Sequence, residues 1–482
     1  MPRRTKILAT LGPATDKPGV LASILRAGVN VVRINFSHGS EAQHLERVKA
    51  VREWADENHT CIGVLMDLQG PKIRIAAFKN GIKIQLNNGD LFVLDADLDE
   101  NSGMQNVVGI AYKTLPEEVK SEDILLLDDG KIVLQVVNIT NNKINTKVLQ
   151  GGVLSDNKGI NLKGGGLSAN ALTDKDKKDI LIAAKAQADY VALSFPVNGD
   201  DVRQTKKLLK AAGCEAKVIA KIERAESLQE ETILDIIQES AGIMVARGDL
   251  GVEIGDAQLP AQQKRLIKLA RSNDRIVITA TQMLESMIEN HIPTRAEVFD
   301  VANAVLDGTD AVMLSAETAA GNFPENAVKT MDEVCVEAEK DRIAKVSHHR
   351  LDEKFVDIDE TIAMSTMYAA NHLGVKAIAA LTQTGKTAMW MSRMSSNIPI
   401  YAMSDNISTL RKVTLYRGVY PCSIKKNQSN DWLDINKNVV NTLIKKEVVS
   451  DNDLVILTKG MHEDKSGGTN LMKIICVGEQ DY

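Results

Sequence analysis

Side chains able to do chemistry recur at the ends of apolar, β-branched runs in this sequence of 482 residues. NVVRINF (30–36) carries Arg33 and Asn35 near its end, and KVIAKIE (217–223) carries Lys221 and Glu223. GIMVARG (242–248) leads to Arg247 and Asp249, IVITATQ (276–282) to Thr279 and Thr281, and AVMLSAE (311–317) to Ser315 and Glu317. Asp67 closes a further run, GVLMDLQ, just before Gly70-Pro71, Lys72 and Arg74. Residues two apart on a strand share a face, so all five pairs are expected to point into one mouth. Glu223 and Asp249 are hard oxygen donors without histidine or cysteine companions, which suits Mg2+ or Mn2+ rather than zinc. Arg33 and Lys221 add fixed positive charge. Such a set would bind a small, multiply anionic phosphate or carboxylate and stabilise charge that develops during its transfer. A Schiff-base role for Lys221 is the competing chemistry.

These side chains need a repeating frame, and the chain supplies one. KILATLG (6–12) and YVALSF (190–195) complete a set of eight apolar runs, and helix-like stretches such as 44–58, 200–213 and 260–274 follow most of them. Strands alternating with helices predict parallel pairing buried on both faces, and eight units match an α/β fold of the (β/α)8 TIM barrel type. The barrel is expected from residues 1–70 and 171–345. Between them, residues 71–170 show strand-like alternation punctuated by Asn-Gly and Asn-Asn turns, which predicts an inserted β-barrel-like cap domain. Gly164, Gly165 and Gly166 stand at its return and predict a hinge. Residues 346–482 read as a C-terminal α/β domain. There TQTGKTA lacks the glycine spacing of a Walker sequence, although a turn entering a helix can hold phosphate through its backbone N–H groups.

Composition narrows the classes. A net charge of −6 offers no positive excess with which to displace counterions from a nucleic acid. Five widely spaced cysteines without a C-x-x-C pair suit a reducing compartment. With neither a signal peptide nor a run of membrane-spanning length, the expected location is cytoplasmic, without membrane association.

Taken in order, TLGPAT, NVVRINFSHGS, GPKIR, KGINL, AKIE, MVARGDLGVE, ATQMLESM, PTRAEVFDVANAVLDGTDAVMLSAET and TQTGKT resemble the pyruvate kinases over nearly the whole chain. The resemblance implies transfer of a phosphoryl group from phosphoenolpyruvate to ADP, giving pyruvate and ATP in the final step of glycolysis. It also implies an allosterically regulated homotetramer. Glu223 and Asp249 would bind the catalytic divalent ion, and Lys221 would stabilise the transferring phosphoryl group and the enolate. Gly248, Asp249 and Thr281 would hold the substrate near its carboxylate, with Thr281 placed to help proton delivery. Arg33 would contact the substrate phosphate, and Arg74 and Lys158 the nucleotide phosphates.

Asn35, Ser37, Asp67 and the main-chain carbonyl of Leu68 match the family's monovalent-ion ligands. Lys72 stands where potassium-requiring members carry glutamate, and a tethered ammonium can supply that charge itself, so activity is expected to be independent of potassium. A second departure is Lys163, where many relatives have proline. Thr382, Thr384, Gly385, Lys386 and Thr387 match a loop for a phosphorylated small-molecule effector, with GGTN (467–470) in a late loop nearby. Two readings compete: a barrel lyase or aldolase working through a metal-stabilised enolate, and a metabolite-sensing regulator that has lost catalysis.

Overall fold

Eight short strands, each fully or almost fully buried, close into a parallel barrel in sequence order. They are β1 (Lys6–Thr10), β2 (Val31–Asn35), β3 (Gly63–Asp67), β4 (Tyr190–Leu193), β5 (Lys217–Ile222), β6 (Gly242–Ala246), β7 (Ile276–Ala280) and β8 (Ala311–Leu314). The structure is a computed structural model that describes residues 2–341, 354–425, 432–460 and 468–479. Burial on both faces explains the unbroken apolar runs. Val32, Ile34, Val64, Met66, Ala220 and Val245 pack outward with the helices, whereas Val31, Leu65, Ile219, Met244, Ile278 and Met313 fill the interior. Each such aliphatic side chain contributes about 1.5–3 kcal/mol by leaving water.

The surrounding helices start where the sequence supplies caps. Ser40, Thr173, Asn198 and Thr294 each close a capping box with the side chain three residues on, opening helices Glu41–Glu57, Asp174–Lys185, Gly199–Ala211 and Arg295–Asp307.

Between β3 and β4 the chain leaves the barrel to build a six-stranded sheet and a two-stranded one. Phe78, Phe92, Leu94, Leu125, Ile132 and Val148 form a core that belongs to this region alone. The last region is a five-stranded sheet in the order Val419–Ser423, Ile400–Ser404, Ala377–Leu381, Leu454–Gly460, Thr469–Cys476, with the final strand antiparallel. The barrel interior is continuous with the apolar core on one face of this sheet, and the Tyr190 hydroxyl donates to the Lys412 carbonyl across the junction (2.5 Å). The amino ends of the strands are thereby plugged, and the carboxyl ends remain for a site. Among the described residues no helix is long and apolar enough to cross a membrane.

Thr469 and Asn470 belong to a strand rather than to a late loop, because they pair against the strand Leu454–Gly460. Gly467 lies outside the described residues, as does the expected barrel boundary at 345/346.

Candidate active site

Strand parity decides which of the five polar pairs reach the mouth. In β2 and β5 the outward positions are Val32, Ile34, Ala220 and Ile222, so Arg33, Asn35 and Lys221 turn inward. Glu223 follows in the same phase and is 1% exposed. In β3 the same alternation points Asp67 inward. Arg33 Nε donates to Asp67 Oδ2 (2.7 Å) and its Nη1 to Thr10 Oγ1 (3.1 Å). Lys221 Nζ lies 2.8 Å from Glu223 Oε1, 2.8 Å from Ser194 Oγ and 3.5 Å from Asp67 Oδ1. One ammonium therefore bridges three strand ends.

The other three pairs do not converge as pairs: Asp249 reaches the cleft, whereas Thr279, Arg247 and Glu317 turn away from it. In β7 it is Ile276, Ile278 and Ala280 that fill the interior, so Thr279 faces outward and donates to Thr309 Oγ1 (3.0 Å). Past β6 the chain enters helix Arg247–Ile254 at once, where period two no longer holds. Arg247 is directed away from the mouth. It pairs with Asp300 and donates to the Thr281 and Gln282 carbonyls, 3.1 and 2.9 Å away. Glu317 is buried in a short helix, accepting the Ser315 and Leu284 amides. These groups are clamps.

The Arg247 clamp has a purpose. Thr281 and Gln282 have φ of +66° and +52°, a left-handed conformation that costs a β-branched residue energy and persists only where the surroundings hold it. Held so, Thr281 Oγ1 accepts the Gly248 amide (2.9 Å) and donates to the Ala280 carbonyl (2.7 Å), beside the first turn of the helix bearing Asp249.

Electrostatics follows from burial and crowding. Burial lowers the Lys221 pKa, but Asp67 and Glu223 outweigh it, so the group stays charged and titrates above its ordinary range. An ammonium held by two carboxylates is poorly placed to act as a Schiff-base nucleophile, which counts against that competing role for Lys221. Burial pushes Glu223 up to about 7, with the Lys221 charge opposing and Asp249 reinforcing, and Asp249 is raised for the same first reason. Glu223 Oε1 and Asp67 Oδ1 are buried and, apart from the Lys221 ammonium, meet no hydrogen-bond donor. Oxygens left in that condition fit a cation shared with substrate. Among the described residues no three His, Cys, Asp or Glu side chains gather into a metal cage.

The cleft between cap and barrel encloses about 320 Å3, enough for a small-molecule ligand. Lys72, Arg74 and Lys158 line it from the cap side, Phe195, Arg224 and Asp249 from the barrel. Lys158 Nζ is held by Asp128 Oδ1 at 2.9 Å.

Comparison with known proteins agrees with this architecture. Residues 2–328 match the family description "Pyruvate kinase, barrel domain" and residues 360–475 "Pyruvate kinase, alpha/beta domain". The chain belongs to the pyruvate kinase family. It is 55% identical over 478 residues to the pyruvate kinase of Buchnera aphidicola subsp. Acyrthosiphon pisum, covering 98% of this chain and 99% of that one. Pyruvate kinase II of Salmonella typhimurium is 53% identical over 477 residues, again 98% and 99%. A crystal structure of a pyruvate kinase from Cryptosporidium parvum superposes with a TM-score of 0.89 at 33% identity, covering 98% of this chain and 96% of that one. The protein is accordingly a phosphotransferase acting on phosphoenolpyruvate and ADP, and the lyase and lost-catalysis readings fall.

Several groups of this pyruvate kinase were not legible in sequence. Ser194 Oγ accepts from Lys221 and donates to the Leu68 carbonyl (2.7 Å), and the Phe195 amide donates to Glu223 Oε2 (2.7 Å) from a residue with φ of +54°. Only the polar ending of YVALSF hinted at them. Three of the four expected monovalent-ion ligands are already engaged. Asn35 Oδ1 accepts the Ser37 amide (3.0 Å), Asp67 holds Arg33, and the Leu68 carbonyl holds Ser194. Inside that turn, Lys175 Nζ donates to the Phe36 carbonyl (2.8 Å). Lys72 is exposed, and its pKa is lowered by burial and by the nearby charges of Arg74 and Lys175.

The cap's return is latched to the barrel. Gly164, Gly165 and Gly166 have φ of +88°, +81° and +110°. Gly164 donates to the Glu253 carbonyl (3.1 Å) and Gly166 to Glu226 Oε1, while Arg224 donates to the Leu167 and Ala169 carbonyls, both at 2.8 Å.

The effector-loop residues do come together, between strand Ala377–Leu381 and helix Lys386–Ser392. Their donors and acceptors are occupied internally. Thr382 Oγ1 accepts the Gly385 amide (2.9 Å), Thr384 Oγ1 the Lys386 amide (3.4 Å), and Thr387 Oγ1 meets Thr469 Oγ1 (2.7 Å). Lys386 Nζ is shared between Asp357 (3.2 Å) and Asp359 (3.1 Å).

Proposed function

We propose that phosphoryl transfer in this enzyme is run by Lys221, Arg33 and Thr281 at the barrel mouth. The observation that carries the reading is the largely buried ammonium of Lys221, held by Asp67, Glu223 and Ser194. Fixed there, it faces the charge that develops as the phosphoryl group leaves, without reorganising during the reaction. Arg33, braced by Asp67 and Thr10, binds the substrate phosphate. Gly248 and Asp249, at a helix start, hold the carboxylate end, and the oriented Thr281 hydroxyl assists proton delivery to the enolate. Arg74 and Lys158 take the nucleotide phosphates from the cap side.

Glu223 and Asp249 are the residues that would hold Mg2+ or Mn2+, which when bound supplies Lewis-acid neutralisation of phosphate charge. Activity is independent of potassium, because a tethered ammonium, that of Lys175, already stands beside the Asn35, Ser37, Asp67 and Leu68 site. Lys72 is the residue assigned that role from sequence, and Lys175 supports the same charge balance.

The chain is organised as a barrel from 1–70 and 171–345, a cap from 71–170 and an effector domain from 346–482. It works in the cytoplasm as a homotetramer. A phosphorylated small molecule bound at Thr382, Thr384, Gly385, Lys386 and Thr387 regulates it, displacing Asp357 and Asp359 from Lys386. A coupled assay of pyruvate formation from phosphoenolpyruvate and ADP, with and without Mg2+, tests the central reading. ADP-dependent pyruvate that vanishes on chelation and returns with Mg2+ is expected; undiminished activity after chelation would overturn the metal assignment.

A further inference from the structure

Where the plugged end of the barrel meets the C-terminal sheet, buried and part-buried positive charge outnumbers negative among the described residues. Four guanidinium groups, of Arg4, Arg271, Arg393 and Arg417, stand with two carboxylates, of Asp310 and Glu339. Both acids are already spent. Asp310 is gripped by Arg393 and also accepts the amides of Val277 (3.0 Å) and Arg417 (3.1 Å). Glu339 accepts the amides of Arg4 (2.8 Å) and Thr5 (2.6 Å) and the Thr5 hydroxyl (2.7 Å).

Among the described residues Arg271 and Arg417 hydrogen-bond only to neutral partners, and the nearby charges of Glu339 and Asp310 offset burial of Arg417 only in part. Arg271 Nη2 donates to the Arg393 carbonyl (3.1 Å) and weakly to Ser395 Oγ (3.4 Å). Arg417 Nη1 donates to Thr5 Oγ1 (2.9 Å) and the Thr309 carbonyl (2.8 Å). The crowding registers on Arg271, whose pKa falls to about 10 through burial and then through repulsion by Arg417 and Arg393. Burial of unpaired charge costs several kcal/mol per ion unless a counter-charge is supplied.

A cavity lies against these groups. Arg4, Arg271 and Arg417 line it, together with Ser392, Ser395 and Ser396, and it has room for about one water-sized particle. Its volume excludes a sugar phosphate, and its chemistry excludes a cation.

We propose that this cavity is an anion site, taking a chloride-sized inorganic ion between Arg271 and Arg417 and so tying the C-terminal domain to the barrel. The site is separate from the active-site cleft and from the loop at Thr382–Thr387, so its failure would leave the catalytic reading untouched. The test is thermal unfolding of the full-length enzyme at constant ionic strength, with chloride or bromide replacing methanesulfonate. Saturable stabilisation by about 2 °C is expected for the wild type. The variant Arg271→Leu should lose that dependence, and Arg271→Lys serves if the leucine variant does not fold. Bromide-soaked wild-type crystals should give an anomalous peak within hydrogen-bond reach of Arg271. Halide-independent unfolding, equal halide stabilisation in both proteins, or no peak at this cavity would overturn the proposal.

Discussion

Substituting Glu226 by alanine should loosen the cap without touching a group that binds substrate. Glu226 anchors the return segment by accepting the Gly166 amide, one of four contacts that fix residues 164–169 to the barrel. A hydrogen bond to a charged group contributes about 1.5–3 kcal/mol. Loss of about 2 kcal/mol from a two-position cap shifts its equilibrium roughly 30-fold. Because Lys158 and Arg74 line the cleft from the cap side, the KM for ADP should rise by up to that factor. The KM for phosphoenolpyruvate should change less, since Arg33, Lys221 and Thr281 stay on the barrel.

Gly165 provides the matching control. A Cβ there would meet Glu226 Oε2 at 2.6 Å, and the backbone φ of +81° adds a strain of roughly 1–2 kcal/mol for any other residue. Gly165→Ala should therefore cost less in the Glu226→Ala background than alone, the remainder being backbone strain. Hydrogen exchange across 164–169 and the two KM values read the outcome. Unchanged exchange and an unchanged KM for ADP in Glu226→Ala, or an equal cost of Gly165→Ala in both backgrounds, would refute the latch.

Three further outcomes are expected. Lys221→Ala should lower kcat by about 1000-fold, or about 4 kcal/mol, with circular dichroism unchanged; near-normal turnover would sink the role given to this ammonium. Comparable rates are expected in potassium and tetramethylammonium salts, and Lys72→Glu should introduce a requirement for potassium. If Lys175→Met introduces it instead, the tethered charge belongs to Lys175. Glu253 is the pH probe: burial, reinforced by Glu226, raises it from 4.5 to about 7 in the folded protein. The native state then binds the proton more tightly, so stability should fall as pH rises from about 4.5 to 7. The full loss is about 3 kcal/mol at 1.36 kcal/mol per decade. Glu253→Gln should flatten that part of the melting profile, and parallel profiles for the two proteins would count against the assignment.

The barrel was legible because its strands are short, mostly apolar runs and four of its helices begin with their own capping box, both local properties. The inward pair Lys221 and Glu223 was legible for the same reason, since parity is counted along a single strand. Thr279 and Arg247 were misread because the start of each count depends on which neighbour lies behind the strand, and because β6 gives way to a helix at Arg247. Lys175 and Asp128 carry no local signal, and Ser194 only the polar ending of its apolar run. They matter because Lys221, the Phe36 carbonyl and Lys158 arrive beside them from elements 27 to 139 residues away. Sequence alone thus determined the repeat, the inward residues of its regular strands and the family. Tertiary structure decided which charges are paired, which hydroxyls are committed and where positive charge is left over, because those depend on Coulomb and hydrogen-bond partners that chain order does not bring together.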